Sequence, residues 1–169
     1  SGTVTVSTSG ATLSLGGSDT IGALSGVSGT TVSLSGNTLT VGDSGNTSFA
    51  GVISGSGGIT KAGTGTLTLS GSNSYTGATT ISQGTLAIGA TGTLAESSGV
   101  SNSGVLLLGA NSTVDSMTGT GSTSLGSYTL TIGDSSNTSC SYSGIISGTG
   151  GLVKAGTGTL TLSGNSDYT

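Results

Sequence analysis

The chain is 169 residues long, with 35 Gly, no Pro, no His, no Trp, one Cys, 5% charged side chains and a net charge of −4. Lacking His and having one Cys, it has no material for a His-containing metal site, a Ser-His-Asp triad or a Cys-His dyad; two Lys and no Arg exclude a basic nucleic-acid footprint. Abundant Gly, Ser and Thr suggest disorder on composition alone, but the absence of Pro, the positive mean hydropathy and the short alternating apolar runs argue for a folded chain.

Taken in order, the apolar residues come in pairs that flank a Thr, Ser or Ala: Val4/Val6, Leu13/Leu15, Val32/Leu34, Leu39/Val41, Leu67/Leu69, Leu86/Ile88, Leu130/Ile132 and Leu160/Leu162. Period two predicts short strands with one buried face. Gly, Asn, Asp and Ser fill the intervals and supply turns. Helical spacing is absent, and each Gly would cost a helix about 1 kcal/mol relative to Ala. No stretch approaches the roughly 18 apolar residues of a membrane-spanning helix. The first residues, SGTVTVSTSG, lack the features of a signal peptide, so an export signal is expected outside this sequence. One Cys forms no internal disulfide.

A long repeat overlies this pattern. Gly51–Thr76 returns as Gly144–Thr169 at an offset of 93, with about 19 of 26 positions identical, and LTVGDSGNTS from Leu39 returns from Leu130 at an offset of 91. Two residues are therefore inserted near Cys140 and Ser141. The expected organisation is a single β-helix segment over residues 1–169, just under two copies of a unit of about 93 residues (1–93, then 94–169 truncated), excerpted from a longer chain. Treating Leu15, Leu34, Ile53, Leu69, Ile88, Leu108, Leu125, Ile146 and Leu162 as equivalent gives steps of 16 to 21 residues, about five per unit.

A step of roughly 20 residues is one coil of a β-solenoid with three strands and three turns. Hairpin architectures would favour two-residue Asn-Gly or Asp-Gly turns, and neither dipeptide occurs. The predicted fold is all-β, a parallel β-helix of eight or nine coils, roughly 40 Å long at about 4.8 Å per coil. Stacked Val, Ile and Leu would fill a narrow interior and Ser and Thr would form outer ladders. Charge is scarce because like would stack on like.

The string GG-[IL]-x-KAGTGTLTLSG, with Asn-Ser-Tyr-Thr-Gly and ATTISQGTLAI after its first occurrence, resembles the autotransporter passenger-associated strand repeat of type V secretion. The resemblance spans Gly51–Ile88 and returns truncated over Gly144–Thr169. It implies a right-handed parallel β-helix, export as an unfolded chain, and an extracellular or cell-surface location.

The carboxylates Asp19, Asp43, Glu96, Asp115, Asp134 and Asp167 are the only material for a polysaccharide lyase or hydrolase. Asp43 and Asp134 are repeat equivalents some five coils apart and are read as turn residues. The Gly-rich strings do not match a Ca²⁺-binding nonapeptide. Lys61 and Lys154 are read as solvated turn residues, with cation-mediated ligand binding the alternative. Phe49, Tyr75, Tyr142 and Tyr168 either stack on sugars or fill coil corners, the latter favoured. Cys140 is read as a free thiol. No catalytic, cofactor-binding or metal residue is assigned.

Thr-x-Thr triplets begin at Thr3, Thr38, Thr66, Thr129 and Thr159; an ice-binding face would need one per coil, and their spacing is uneven. The expected function is a non-enzymatic stalk whose partner is itself, laterally or end to end, or host or matrix glycans and proteins. Nucleic acid and membrane insertion of this segment are not expected. The alternatives are a carbohydrate-active β-helix and an ice-binding solenoid.

Overall fold

The computed structural model describes residues 2–94, 99–133 and 138–169; Glu96 and Asp134 lie outside the described residues. Alternation becomes strand wherever two inward apolar residues flank an outward hydroxyl. The first coil comprises β1 (Thr3–Val6), β2 (Thr12–Ser14) and β3 (Asp19–Ile21), and the second β4 (Ala23–Gly26), β5 (Thr31–Ser33) and β6 (Leu39–Val41). The third has β7 (Thr47–Phe49), β8 (Val52–Gly55) and β9 (Ile59–Lys61); the fourth has β10 (Thr66–Leu69), β11 (Ser74–Tyr75) and β12 (Thr79–Ile81). In the fifth, β13 (Thr85–Ile88) and β14 (Val100–Asn102) are described, and the sixth has β15 (Val105–Leu107), β16 (Ser112–Val114) and β17 (Met117–Thr118). The seventh has β18 (Ser122–Ser124), β19 (Leu130–Ile132) and β20 (Cys140–Tyr142), and the eighth β21 (Ile145–Ser147), β22 (Leu152–Lys154) and β23 (Leu160–Leu162). No helix occurs among the described residues.

These strands stack into three faces, and every pairing between them is parallel. The first face is one sheet of eight strands, β1-β4-β7-β10-β13-β15-β18-β21. The second runs β2-β5-β8-β11 and resumes past the fifth coil as β16-β19-β22. The third runs β3-β6-β9-β12-β14-β17, and a bridge from Gly119 to Tyr142 carries it onto β20 and β23. The chain is thus an all-β solenoid of about eight turns, near 20 residues each, as its periodicity predicts. Val4 pairs with Leu24, and Leu86 with Leu106, both steps of 20; Leu106 to Thr123 and Val100 to Met117 are among the shortest steps, and Gly26 to Phe49 and Thr123 to Ile146 among the longest.

The equivalence drawn from sequence needs correction. On the first face the inward column is Val6, Gly26, Phe49, Leu69 and Ile88. Ile53 belongs to the second face, over Val32 and Leu13, and Leu162 to the third, over Tyr142. All three faces carry the same x-Leu-x-Leu alternation, so a slip of one face leaves the sequence match nearly unchanged. The inserted residues also move: Cys140 and Ser141 form β20 with Tyr142, so the extra pair lies upstream of that strand.

Nor is the interior purely aliphatic. Leu24, Val32, Leu34, Ile53, Leu67, Leu86 and Ile146 are fully buried, each such side chain contributing about 2 kcal/mol. Lys61, Asn73, Thr79, Asn102, Ser112 and Thr123 are buried beside them. Three large rings are buried, each paired with a glycine. Phe49 pairs with Gly26, Tyr75 with Gly55 and Tyr142 with Gly119, each glycine one coil below. The Phe49 ring spreads into the volume that a side chain on Gly26 would occupy, a Cβ there lying 2.6 Å from the ring, whereas a Cβ on Gly55 or Gly119 would run into the backbone of Ser35 or Asn102.

Candidate functional site

Each candidate residue is positioned by its place on a coil. Lys61 ends β9, where Ile59 and Lys61 face inward and Thr60 outward, and it stands in a column between Val41 and Ile81. It is 1% exposed, which corrects the expectation of a solvated turn residue: period-two geometry overrides the usual preference of an ammonium for water. Its Nζ donates to the Gly63 carbonyl at 2.5 Å. Burial pushes its pKa below the usual lysine value, and the Asp43 carboxylate opposes that shift.

Lys154, its repeat equivalent, ends β22 in the last coil and is exposed, with Nζ donating to the carbonyls of Ala155 and Gly156. The same sequence is therefore seen once beneath a further coil and once without one. Leu69 and Tyr75 are fully buried, whereas their equivalents Leu162 and Tyr168 are 36% and 37% exposed.

Phe49, Tyr75 and Tyr142 are fully buried and present no ring face to a sugar. The Tyr75 hydroxyl lies 2.7 Å from Thr79 Oγ1, and burial raises its pKa to about 12. The Tyr142 hydroxyl donates to the Gly121 carbonyl at 2.6 Å and lies 3.0 Å from Thr123 Oγ1. Asn102 Nδ2 approaches that hydroxyl at 3.2 Å and also donates to the Ser122 carbonyl at 2.9 Å, while its Oδ1 accepts from the Gly104 amide. Burial again raises the phenol's pKa. This network was not legible in the sequence, where Asn102 and Thr123 look like ladder or turn residues. It fastens three coils together internally.

The carboxylates are spread over the rod. Asp19 lies within β3, its Oδ1 accepting from the Thr20 amide at 2.7 Å. Asp43 follows β6, half-buried, Asp115 follows β16, and Asp167 follows β23. Among the described residues, no three His, Cys, Asp or Glu converge on a site that could hold a metal ion. Cys140 is a free, half-buried thiol whose Sγ accepts from the Met117 amide.

A recess of about 450 Å³ borders Asn73, Tyr75, Leu94 and Ser112, where the second face passes from β11 to β16. Asn73 already uses both ends of its amide: Oδ1 accepts from the Ile53 amide and Nδ2 donates to the Thr93 carbonyl.

The outer surface carries the hydroxyls. Thr5 and Ser25 oxygens lie 2.9 Å apart on adjacent coils, and Ser163 Oγ donates to Ser143 Oγ at 2.9 Å. The Thr-x-Thr triplets beginning at Thr3 and Thr66 lie on the first face, that at Thr129 on the second, and those at Thr38 and Thr159 on the third. A flat ice-matching array requires them on one face, so this distribution counts against ice binding.

The family model described as passenger-associated-transport-repeat matches residues 59–88, from β9 through β13, and residues 152–169, from β22 onward. No curated protein and no solved structure matches the chain. Residues 59–76 and 152–169 of the matched segments are copies of each other within the long repeat, and their strands stack in the ladders that build the rod. Carrying passenger-associated-transport repeats on a parallel β-solenoid, the chain fits an autotransporter passenger domain with repeats, of the secreted or surface-exposed kind.

Proposed function

We propose that the chain is a non-enzymatic stalk segment that works by self-association, or by multivalent attachment to glycans or proteins of a surface or matrix. The observation that carries this reading is the first face: eight strands form one unbroken sheet, and none of them contains a charged residue. A rod of net charge −4 can bring this face against another without apposing like charges. Outward Ser and Thr both donate and accept, so weak hydrogen bonds add along the array. Among the described residues, Asp19, Asp43, Asp115 and Asp167 belong to different coils, which supports the non-enzymatic reading, since a glycosidase needs two carboxyls about 5 to 10 Å apart across one bond.

Sedimentation of the purified chain over a wide concentration range tests the proposal, alongside assays for reducing or unsaturated ends released from polysaccharides. Concentration-dependent association without sugar cleavage is expected. Cleavage that persists through purification would overturn the non-enzymatic reading; a strict monomer that attaches to no surface would overturn the adhesive one.

A further inference from the structure

Three asparagines of the chain begin an Asn-x-Ser/Thr triplet: Asn46-Thr47-Ser48, Asn111-Ser112-Thr113 and Asn137-Thr138-Ser139. In a chain this rich in Ser and Thr such triplets follow from composition, so the sequence alone singles out none of them. Asn137 lies outside the described residues. The other two share one geometry. Asn46 closes the corner between β6 and β7, Asn111 closes that between β15 and β16, and both are exposed. Each side chain reaches the next coil, where Asn46 Oδ1 accepts from the Thr66 amide at 3.0 Å and Asn111 Oδ1 from the Thr129 amide at 2.9 Å. A backbone N–H can face only the carbonyl end of a side-chain amide, so these bonds fix its orientation. Among the described residues, neither Nδ2 makes a hydrogen bond. The strand that follows carries the hydroxyl of the third position outward as well: Ser48 and Thr113 are exposed, whereas Phe49, Ser112 and Val114 turn inward.

The other described asparagines differ. Asn73 and Asn102 are buried with both ends of the amide engaged, Asn37 Nδ2 donates to the Leu15 carbonyl, and Asn165, though exposed, has Asp167 at the third position.

We propose that Asn46 and Asn111 are acceptor sites for N-linked glycosylation, each taking a sugar from a diphosphate-activated donor. In that step Nδ2 attacks the anomeric carbon of the sugar. The C–N bond forms as the bond from that carbon to the diphosphate oxygen breaks, the diphosphate leaves with the electron pair, and one amide proton passes to a base of the transferase. The linked nitrogen keeps one N–H and the carbonyl remains an acceptor, so the bonds to Thr66 and Thr129 survive the modification. Asn46 stands where the third face turns into the first and Asn111 where the first turns into the second, three coils or about 14 Å apart along the axis, so neither sugar crowds the other. Nothing in this assignment depends on the self-association reading.

Mass spectrometry of peptides from the chain recovered from the cells that produce it tests the proposal. Peptides containing Asn46 and Asn111 should carry sugar on the asparagine, and those containing Asn37, Asn73, Asn102 and Asn165 should carry none. Asn46→Gln and Asn111→Gln should each abolish one increment, as should Ser48→Ala and Thr113→Ala, which keep the asparagine. In a second arm, the folded chain is treated with UDP-glucose and a soluble transferase specific for Asn-x-Ser/Thr; both positions should be modified, and the product should unfold at the same denaturant midpoint as the untreated chain. Unmodified Asn46 and Asn111 in the native chain, or sugar on the Ser48 or Thr113 oxygen in place of the asparagine, would overturn the proposal. So would a folded chain that accepts no glucose, or a product whose midpoint falls, because either would place Nδ2 within the fold.

Discussion

Removing the Tyr75 hydroxyl should change the alkaline stability of the rod in a way that reverses sign with pH. In the folded chain the phenol is fully buried, 2.7 Å from Thr79 Oγ1, and its pKa rises from 10.0 to about 12 because burial penalises the phenolate. A folded pKa raised above the unfolded one gives stability that is fully present below pH 10 and is lost as pH rises towards 12. Two pH units correspond to about 2.7 kcal/mol at 1.36 kcal/mol per unit. Tyr75→Phe keeps the ring over Gly55 but strands the buried Thr79 hydroxyl, at a cost of about 1 kcal/mol at pH 7. The variant should therefore be the less stable protein at neutral pH, cross the parent near pH 11, and exceed it by about 1.5 kcal/mol at pH 12. Tyr142 titrates in both proteins and cancels in the difference. Denaturant unfolding followed by far-ultraviolet circular dichroism at intervals from pH 7 to 12 gives the two curves. A gap that stays constant across this range would refute the reasoning, because it would mean that the phenol is as easily ionised in the fold as in the unfolded chain.

Other residues give sharper local tests. Lys61→Met replaces a buried ammonium by a hydrophobe of similar length and should leave stability unchanged or raise it by up to about 2 kcal/mol, whereas Lys154→Met, in the exposed copy, should stay within about 0.5 kcal/mol. A parent whose Lys61 pKa is lowered should also gain stability as pH rises towards 10.5, a slope absent from Lys61→Met; marked destabilisation of that variant would show that the ammonium is net favourable. Gly26→Ala should cost about 2 kcal/mol by driving a Cβ into the Phe49 ring, with partial rescue by Phe49→Leu in a double-mutant cycle of thermal unfolding. Gly17→Ala, with open space at its Cβ position, should be near neutral in the same assay. Asn102→Ala, by unpairing the Gly104 amide and the Ser122 carbonyl, should cost about 2 kcal/mol, measured as a shift in denaturant midpoint.

Period-two alternation between glycine-rich corners was enough to specify parallel coils, and the string from Gly51 to Ile88 was enough to point to the repeat family. The phase of individual coils was not legible. Ile53, Leu69 and Leu162 sit in near-identical contexts on three different faces, and only their pairing partners distinguish them. Lys61 could have been placed correctly, since Ile59-Thr60-Lys61 continues the alternation inward. The ring-over-glycine pairs were hidden because Phe49 and Gly26 are 23 positions apart, whereas Tyr75 and Gly55 are 20 apart, so no fixed spacing marks them. For the outer surface, the sequence supplied the hydroxyls and the structure supplied their direction.

Pairing between neighbouring coils also bears on how such a chain acquires its structure. Ladder partners are separated by roughly one coil, so a typical contact spans about 20 of 169 residues, a relative contact order near 0.12, below that of most all-β domains. Closing each new loop costs about the same entropy as closing the last. Once one coil is formed, its free edge is a template for the next, and growth is processive in either direction. A chain emerging gradually through a narrow opening could fold as it arrives, with no need for its distant end.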